Sequence, residues 1–258
     1  QELLTPAVFS QMGYYRQLGM RSRILTLPVM TALVLTILWR QVPSVRELTR
    51  MLVREDLLWC KAIKVSQQAL SERLLAFPAE LFEQVFKALL PELRRRWAER
   101  RRPMPLAIRV ASEQFDDILV ADGSTLEALF RKLGSLADAP VGQLAGKMCV
   151  VIDLVRQLPI ELWFSEEAQA FDSRFIPNLL ALASAKTLLI LDRGFYDFQF
   201  FADLKATGAD FISRLKSNAK IEVIERLSYT DLCKDMIVRL GTGQNGAPIL
   251  TVRMIEVR

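Results

Sequence analysis

The sequence predicts an α+β fold, with a helical bundle over residues 1–105 followed by a mixed β-sheet with flanking helices over residues 106–258. Three observations carry that reading. Apolar residues recur at helical spacing through the first hundred positions. Six arginines and two prolines between Arg94 and Pro105 then interrupt the apolar pattern, as a solvated helix end and linker would. Beyond them, short runs rich in Val, Ile and Phe first follow one another closely and then alternate with helical stretches.

Within the helical part, residues 24–39 form an uncharged run of 16 residues that includes Pro28 and three threonines. A bilayer span needs about 20, so the run reads as a buried core helix starting near Pro28, with no membrane association. Ser44 and Glu47 make a capping box, and the helix it opens carries Val45, Leu48, Met51, Leu52, Leu57 and Leu58 at roughly helical spacing. A second helix begins near Ser66 and takes in Leu70, Leu74 and Leu75. A third follows Pro78, with Leu81, Phe82, Val85, Phe86, Leu89 and Leu90 on one face.

In the second part, strands are expected at 115–121, 147–154, 160–164, 187–191 and 210–215, and helices at 171–185 and 197–207. Three strands in an antiparallel meander, followed by parallel strands reached through crossover helices, give the order β-β-β-α-β-α-β, which resembles that of ribonuclease-H-like domains. Further strand patterns follow at 221–226, 236–240 and 249–257, the last two reading as a hairpin around the glycine-rich turn at 241–246. The chain starts at Gln1 and stops at Arg258 inside a strand pattern, so it is expected to be an excerpt of a longer protein.

Composition narrows the chemistry. Hydrophobic residues make up 51% and charged residues 24%, which suits a packed core and not a disordered chain. There is no histidine, excluding Ser-His-Asp triads, Cys-His dyads and histidine-ligated metals. Any metal has to sit on carboxylates. Cys60, Cys149 and Cys233 lie far apart with no CxxC, so neither a disulfide framework nor a zinc site is expected, and a reducing, cytoplasmic setting is. Charge is uneven: residues 1–110 hold 18 Lys and Arg against 9 Asp and Glu, whereas residues 111–258 hold 16 against 20. That asymmetry predicts a polyanion-binding module followed by one whose acids do something else.

Two of those acids end strand patterns. Asp122 follows Ile118-Leu119-Val120-Ala121 and precedes Gly123-Ser124; Asp192 follows Thr187-Leu188-Leu189-Ile190-Leu191 and precedes Arg193-Gly194-Phe195-Tyr196. An Asp at a strand end aims a hard oxygen ligand out of a rigid scaffold, and the glycine is expected to let the chain turn sharply. With the first and fourth strands side by side, Asp122 and Asp192 are predicted to share a divalent cation.

These segments resemble those of insertion-sequence transposases with a DDE triad, specifically the insertion-sequence-four-type group with a β-rich insertion. The segment ending Ala121-Asp122-Gly123-Ser124 is similar to the one bearing the family's first acid, and Leu191-Asp192-Arg193-Gly194-Phe195-Tyr196 to the one bearing the second. Residues 146–153 resemble the second strand, although members often carry His where Met148 or Cys149 stands. Asp172 follows Phe171 where an adjacent His-Asp pair is common. The resemblance implies a DNA transposase using Mg²⁺ (or Mn²⁺) held by Asp122 and Asp192. It also implies double-stranded DNA as partner, both terminal inverted repeats and target, a homodimer in the DNA complex, and a bacterial, nucleoid-associated location. The family's third acid is a Glu in a segment Tyr-x2-Arg-x3-Glu-x6-Lys. No such segment occurs in the 258 residues, so the chain is expected to be truncated before it and inactive alone.

For DNA contacts, residues 65–74 suggest a recognition helix of helix-turn-helix type after the capped helix, offering Gln67, Gln68 and Arg73 to base edges. Arg94, Arg95, Arg96, Arg100, Arg101 and Arg102 outnumber the nearby Glu92 and Glu99 and are candidates for phosphate contact, as is Arg193. Three functions stay open: a DNA strand transferase, a ribonuclease-H-like nuclease without strand transfer, and a non-catalytic DNA-binding transposon remnant.

Overall fold

The computed structural model describes residues 2–21, 23–78, 80–98, 103–125, 146–165, 167, 170–241, 243 and 248–257. The chain divides into two compact units, the first within Gln1–Arg101 and the second taking up from Arg102.

The first unit is helical. Two short helices, α1 (Leu4–Ser10) and α2 (Met12–Gln17), lead into α3 (Leu27–Arg40), the helix expected of the uncharged run. Leu27, Met30, Ala32 and Leu33 of α3 are completely buried, and each large side chain so placed contributes roughly 1.5–3 kcal/mol. The buried threonines need no outside partner. Thr31 and Thr36 donate their hydroxyls to the carbonyls of Leu27 and Ala32 at 2.9 and 2.7 Å, one turn back, which satisfies them inside the core. No single helix among the described residues is long and apolar enough to cross a membrane.

Helix α4 (Val45–Arg54) starts where expected, with the Ser44 hydroxyl accepting the Glu47 N–H at 3.2 Å. Glu47 pairs with Arg50 at 3.4 Å instead of completing a reciprocal box. The helix stops before Leu57 and Leu58, which the apolar spacing had included. Asp56 accepts the Ala62 N–H at 3.0 Å, and Leu57 pairs with Cys60 across a tight turn that puts Leu58 at φ 52°. That local bonding replaces the helical ladder. Leu57 still reaches the core, but from a loop. Helix α5 (Gln67–Leu75) is capped by Ser66, whose hydroxyl accepts the Ala69 N–H at 3.1 Å, and α6 (Glu80–Ala98) follows. Residues 55–66 separate α4 from α5, far more than the three or four residues of a helix-turn-helix turn.

The second unit opens with α7 (Leu106–Ala111) and then a five-stranded sheet made by β1 (Asp117–Thr125), β2 (Lys147–Asp153), β3 (Leu158–Ser165), β4 (Thr187–Leu191) and β5 (Asp210–Ser213). Its strand order is β3-β2-β1-β4-β5, antiparallel between β1, β2 and β3 and parallel between β1, β4 and β5. This is the mixed, ribonuclease-H-like arrangement the strand pattern predicts. Buried Asp153 shapes the β2–β3 turn by accepting the N–H groups of Val155 and Arg156 at 2.8 and 3.0 Å. Parallel strands need crossovers, supplied by α8 (Ile176–Leu182) and α9 (Phe198–Thr207). The stretch expected as one helix from 171 is a 3₁₀ turn, Asp172–Phe175, running into α8. The helix ends at Leu182 because Ser184 and Thr187 close a turn, their hydroxyls 2.9 Å apart. Gly208, at φ 81°, ends α9 in the left-handed conformation that glycine adopts without strain.

Alternate residues of the strands meet these helices: Leu119 and Ala121, Cys149 and Val151, Leu189 and Leu191 pack with Phe175, Leu179, Phe200, Phe201 and Leu204. The other face leaves Ile152, Phe164 and Ile212 between 40% and 55% exposed. A second sheet, antiparallel, follows in the order β6 (Ile221–Tyr229), β7 (Cys233–Leu240), β8 (Leu250–Val257). Of the glycine-rich turn expected between the last two strands, Thr242 and residues 244–247 lie outside the described residues.

Candidate active site

The pairing register decides where the acids fall. In the parallel pair β1–β4 the last matched residues are Ala121 and Leu191, so Asp122 and Asp192 each stand one residue further on, side by side. Alternation then puts both on the face away from α8 and α9, because Ala121 and Leu191 point into that core. Next across the sheet, the last match between β4 and β5 is Leu191 with Ser213, which sets Arg214 beside Asp192. Three neighbouring strands therefore present Asp122, Asp192 and Arg214 at one level.

Asp122 does not end its strand. β1 continues to Thr125, pairing only with β2 after Ala121, with Asp122 opposite Val150 and Gly123 opposite Cys149. It is β4 that ends, so that among the described residues no strand pairs with β1 on that side from Asp122 onward. Gly123 is thus not a sharp turn, and its φ is not among the positive values. Its missing side chain serves another purpose: a Cβ there, or on Gly194, would collide with the carboxylate of Asp172.

The two acids differ in their surroundings. Asp192 pairs with Arg214, and this hydrogen bond, helped by the N–H of Arg193, holds its carboxyl below the usual carboxylate range. Among the described residues Asp122 has no hydrogen bond or ion pair, and it is exposed. Underneath, Cys149 is fully buried, and burial, then the charges of Asp172 and Asp122, push its thiol up to about 12. A thiol so shifted is no nucleophile. Phe195 is completely buried in the core. Tyr196 packs edge-on against Phe198 and Phe201 at 5.7 and 5.3 Å, with the Lys216 ammonium 5.0 Å from its ring centre.

Hard, anionic oxygens on a solvent-accessible sheet edge suit Mg²⁺ or Mn²⁺, which prefer oxygen ligands and, for Mg²⁺, retain several waters. Asp122 and Asp192 provide such a donor pair, and among the described residues no group of three or more His, Cys, Asp or Glu is gathered to hold a metal.

A family model for the transposase DDE domain matches residues 113–246, which is more than half the chain and spans all five strands of the first sheet. The chain belongs to the transposase DDE domain family. No curated protein and no solved structure matches it. The family processes DNA, DDE transposases generally use divalent metals, and both Asp122 and Asp192 lie within the matched span.

The candidate DNA contacts are scattered. Gln67 is exposed and Gln68 bonds Glu72 at 3.0 Å. Arg73 turns inward, its guanidinium 3.5 Å from the Tyr15 hydroxyl. Arg94 is exposed, Arg95 pairs with Glu92 at 2.7 Å and Arg96 with Glu2 at 3.0 Å. Arg100, Arg101 and Arg102 lie outside the described residues, and Arg193 is exposed at the start of the 3₁₀ turn after β4. Sequence reasoning did not single out Arg214 or the partnership of Lys147 with Asp172. Arg214 falls inside the strand expected at 210–215, and it comes beside Asp192 because β5 ends at Ser213, opposite Leu191.

Proposed function

We propose that this DDE domain takes part in metal-dependent cleavage and strand transfer at the ends of a mobile DNA element. The observation that carries the reading is the register of β1 and β4, which sets Asp122 and Asp192 next to one another beyond Ala121 and Leu191. In this proposal the two carboxylates are the catalytic acids and hold Mg²⁺ (or Mn²⁺). When bound, such cations polarise the scissile phosphate and offset charge on the attacking and leaving oxygens. Arg214, the ion-pair partner of Asp192, leaves that carboxylate once ligation competes for it and contacts a phosphate.

The third acid is a Glu supplied by a segment outside the 258 residues. The exposed Ile152, Phe164 and Ile212, on the same face as the two aspartates, support a covering segment there. The sheet β6–β7–β8 after β5 supports an insertion-sequence-four-type subgroup. Residues 1–105 are the DNA-binding part, with Gln67 and Gln68 near base edges and Arg94, Arg95, Arg96, Arg100, Arg101 and Arg102 on phosphates, and Arg193 of the second unit adds a further phosphate contact. Double-stranded terminal repeats and target DNA are the partners, a homodimer is the acting form, and the cytoplasm is the site of action.

The test supplies labelled element ends and target DNA in Mg²⁺ to the chain carrying the Glu-bearing segment. Joining of a cleaved 3′ end to target supports strand transfer, and cleavage without joining points to a nuclease. Absence of both contradicts a catalytic role. Binding to duplex DNA should weaken steeply with added salt, and Ala at Arg94, Arg95, Arg96, Arg100, Arg101 and Arg102 should flatten the slope of log affinity against log salt. An unchanged slope would place the phosphate contacts elsewhere.

A further inference from the structure

The two glycines beside the paired acids share one neighbour. Gly123 follows Asp122 in β1, Gly194 lies two residues after Asp192, and a Cβ on either would strike the carboxylate of Asp172. Neither has a positive φ, so what glycine provides at both places is room. Asp172 itself begins the 3₁₀ turn before α8 and is largely buried, its side chain 17% exposed. Lys147, at the start of β2 and 12% exposed, brings its ammonium within 2.8 Å of Asp172 Oδ1. That oxygen is shielded from solvent and has no hydrogen bond of good geometry, so the contact with Lys147 is one of charge. Lys147 is also matched in register with Thr125 of β1.

We infer that Asp172 is a positioning residue: clamped by Lys147, its carboxylate wedges against Gly123 and Gly194 and fixes the two backbone segments that carry Asp122 and Asp192. Gly123 has the parity of Ala121, so Asp172 supports the site from the helical face while the acids project from the opposite one. It ligates nothing. One ion pair thereby joins β1, β2, the turn after β4 and the turn before α8 under the level where the acids stand. The inference rests on the reading of Asp122 and Asp192 as a cation-binding pair.

The test is Mn²⁺ binding to the full chain, followed by the loss of the free-ion paramagnetic resonance signal, with melting temperature recorded for every variant. Residues that orient metal ligands commonly change affinity about 10–100-fold when removed. D172A is expected to weaken Mn²⁺ binding within that range. G123A, which expels the carboxylate, is expected to do the same. The double variant G123A/D172A should be no weaker than D172A, because the added methyl then occupies the space vacated; coupling of this kind marks a direct contact. D172N keeps the shape and should retain more affinity than D172A. If D172A and D172N both bind Mn²⁺ within twofold of the parent while D122N does not bind, the positioning role is overturned and the cation-binding pair stands. Additive losses in G123A/D172A would also overturn it. Unchanged binding in D122N would overturn both.

Discussion

Asp122→Asn and Asp192→Asn are each expected to lower metal-dependent cleavage of DNA ends by about 10²-fold or more, measured in a chain that carries the complete triad. Asn keeps the size and shape of Asp, so the strands are undisturbed, but its neutral amide offers no anionic oxygen to a cation. The two variants should differ in one respect. Asp122 has no ion pair among the described residues, whereas Asp192→Asn also releases Arg214. That pair is well exposed, 70% for Arg214 and 46% for Asp192, and water screens it, so its loss should hardly move the melting temperature. Cleavage and melting curves measured together separate the chemistry from the fold. Retained cleavage in either variant would mean that the acids have been misassigned.

The largest effect on stability is expected from Phe201→Ala, a loss of about 3–5 kcal/mol. Phe201 is 1% exposed on α9 and stacks on Phe211 of β5 with ring centres 4.4 Å apart and planes 5° from parallel. Tyr196 and Phe200 complete the cluster at 5.3 and 6.0 Å. Truncation removes both the buried area and these ring contacts, and leaves a cavity beneath the strands that carry Asp192 and Arg214. Against the 5–15 kcal/mol that holds an ordinary domain folded, such a loss is severe. Urea denaturation of the variant measures it. A change below about 1 kcal/mol would show that the second unit does not depend on this cluster.

Hydropathy carried the strand and helix pattern of the second unit because its strands are short apolar runs: alternate residues enter the core beneath the helices, and Ile118 and Leu188 are buried on the opposite face as well. The fourth strand is the clearest instance: 187–191 is a continuous apolar run, expected as a strand and found as one, with Thr187, Leu188, Leu189 and Leu191 all buried. The helices of the first unit were legible from apolar spacing, with the Ser44 half of the expected box formed and the helix expected near Ser66 capped by that residue. Where local polar bonding overrides periodicity, the reading failed. Leu57 and Leu58 continue a helical spacing, yet Asp56 and the Leu57–Cys60 turn end the helix at Arg54.

The acids themselves were legible, since a charged residue after an apolar strand run stands out. What surrounds them was not. Gly-Ser-Thr after Asp122 looks like a turn, and only pairing with β2 makes it a strand. The space over Gly123 and Gly194 is filled by a residue some fifty positions from one and twenty-two from the other, and sequence has no local mark for such a meeting. Arg214 sits in an ordinary basic stretch, and its place beside Asp192 follows from register alone.

The central claim is that Asp122 and Asp192 form one cation site, and anomalous scattering from crystals soaked in Mn²⁺ tests it most directly. The expected result is a peak bounded by the carboxylates of Asp122 and Asp192, with Arg214 withdrawn from Asp192 and the peak absent from Asp122→Asn crystals. Mn²⁺ bound elsewhere, or a peak that persists in Asp122→Asn, would contradict the account.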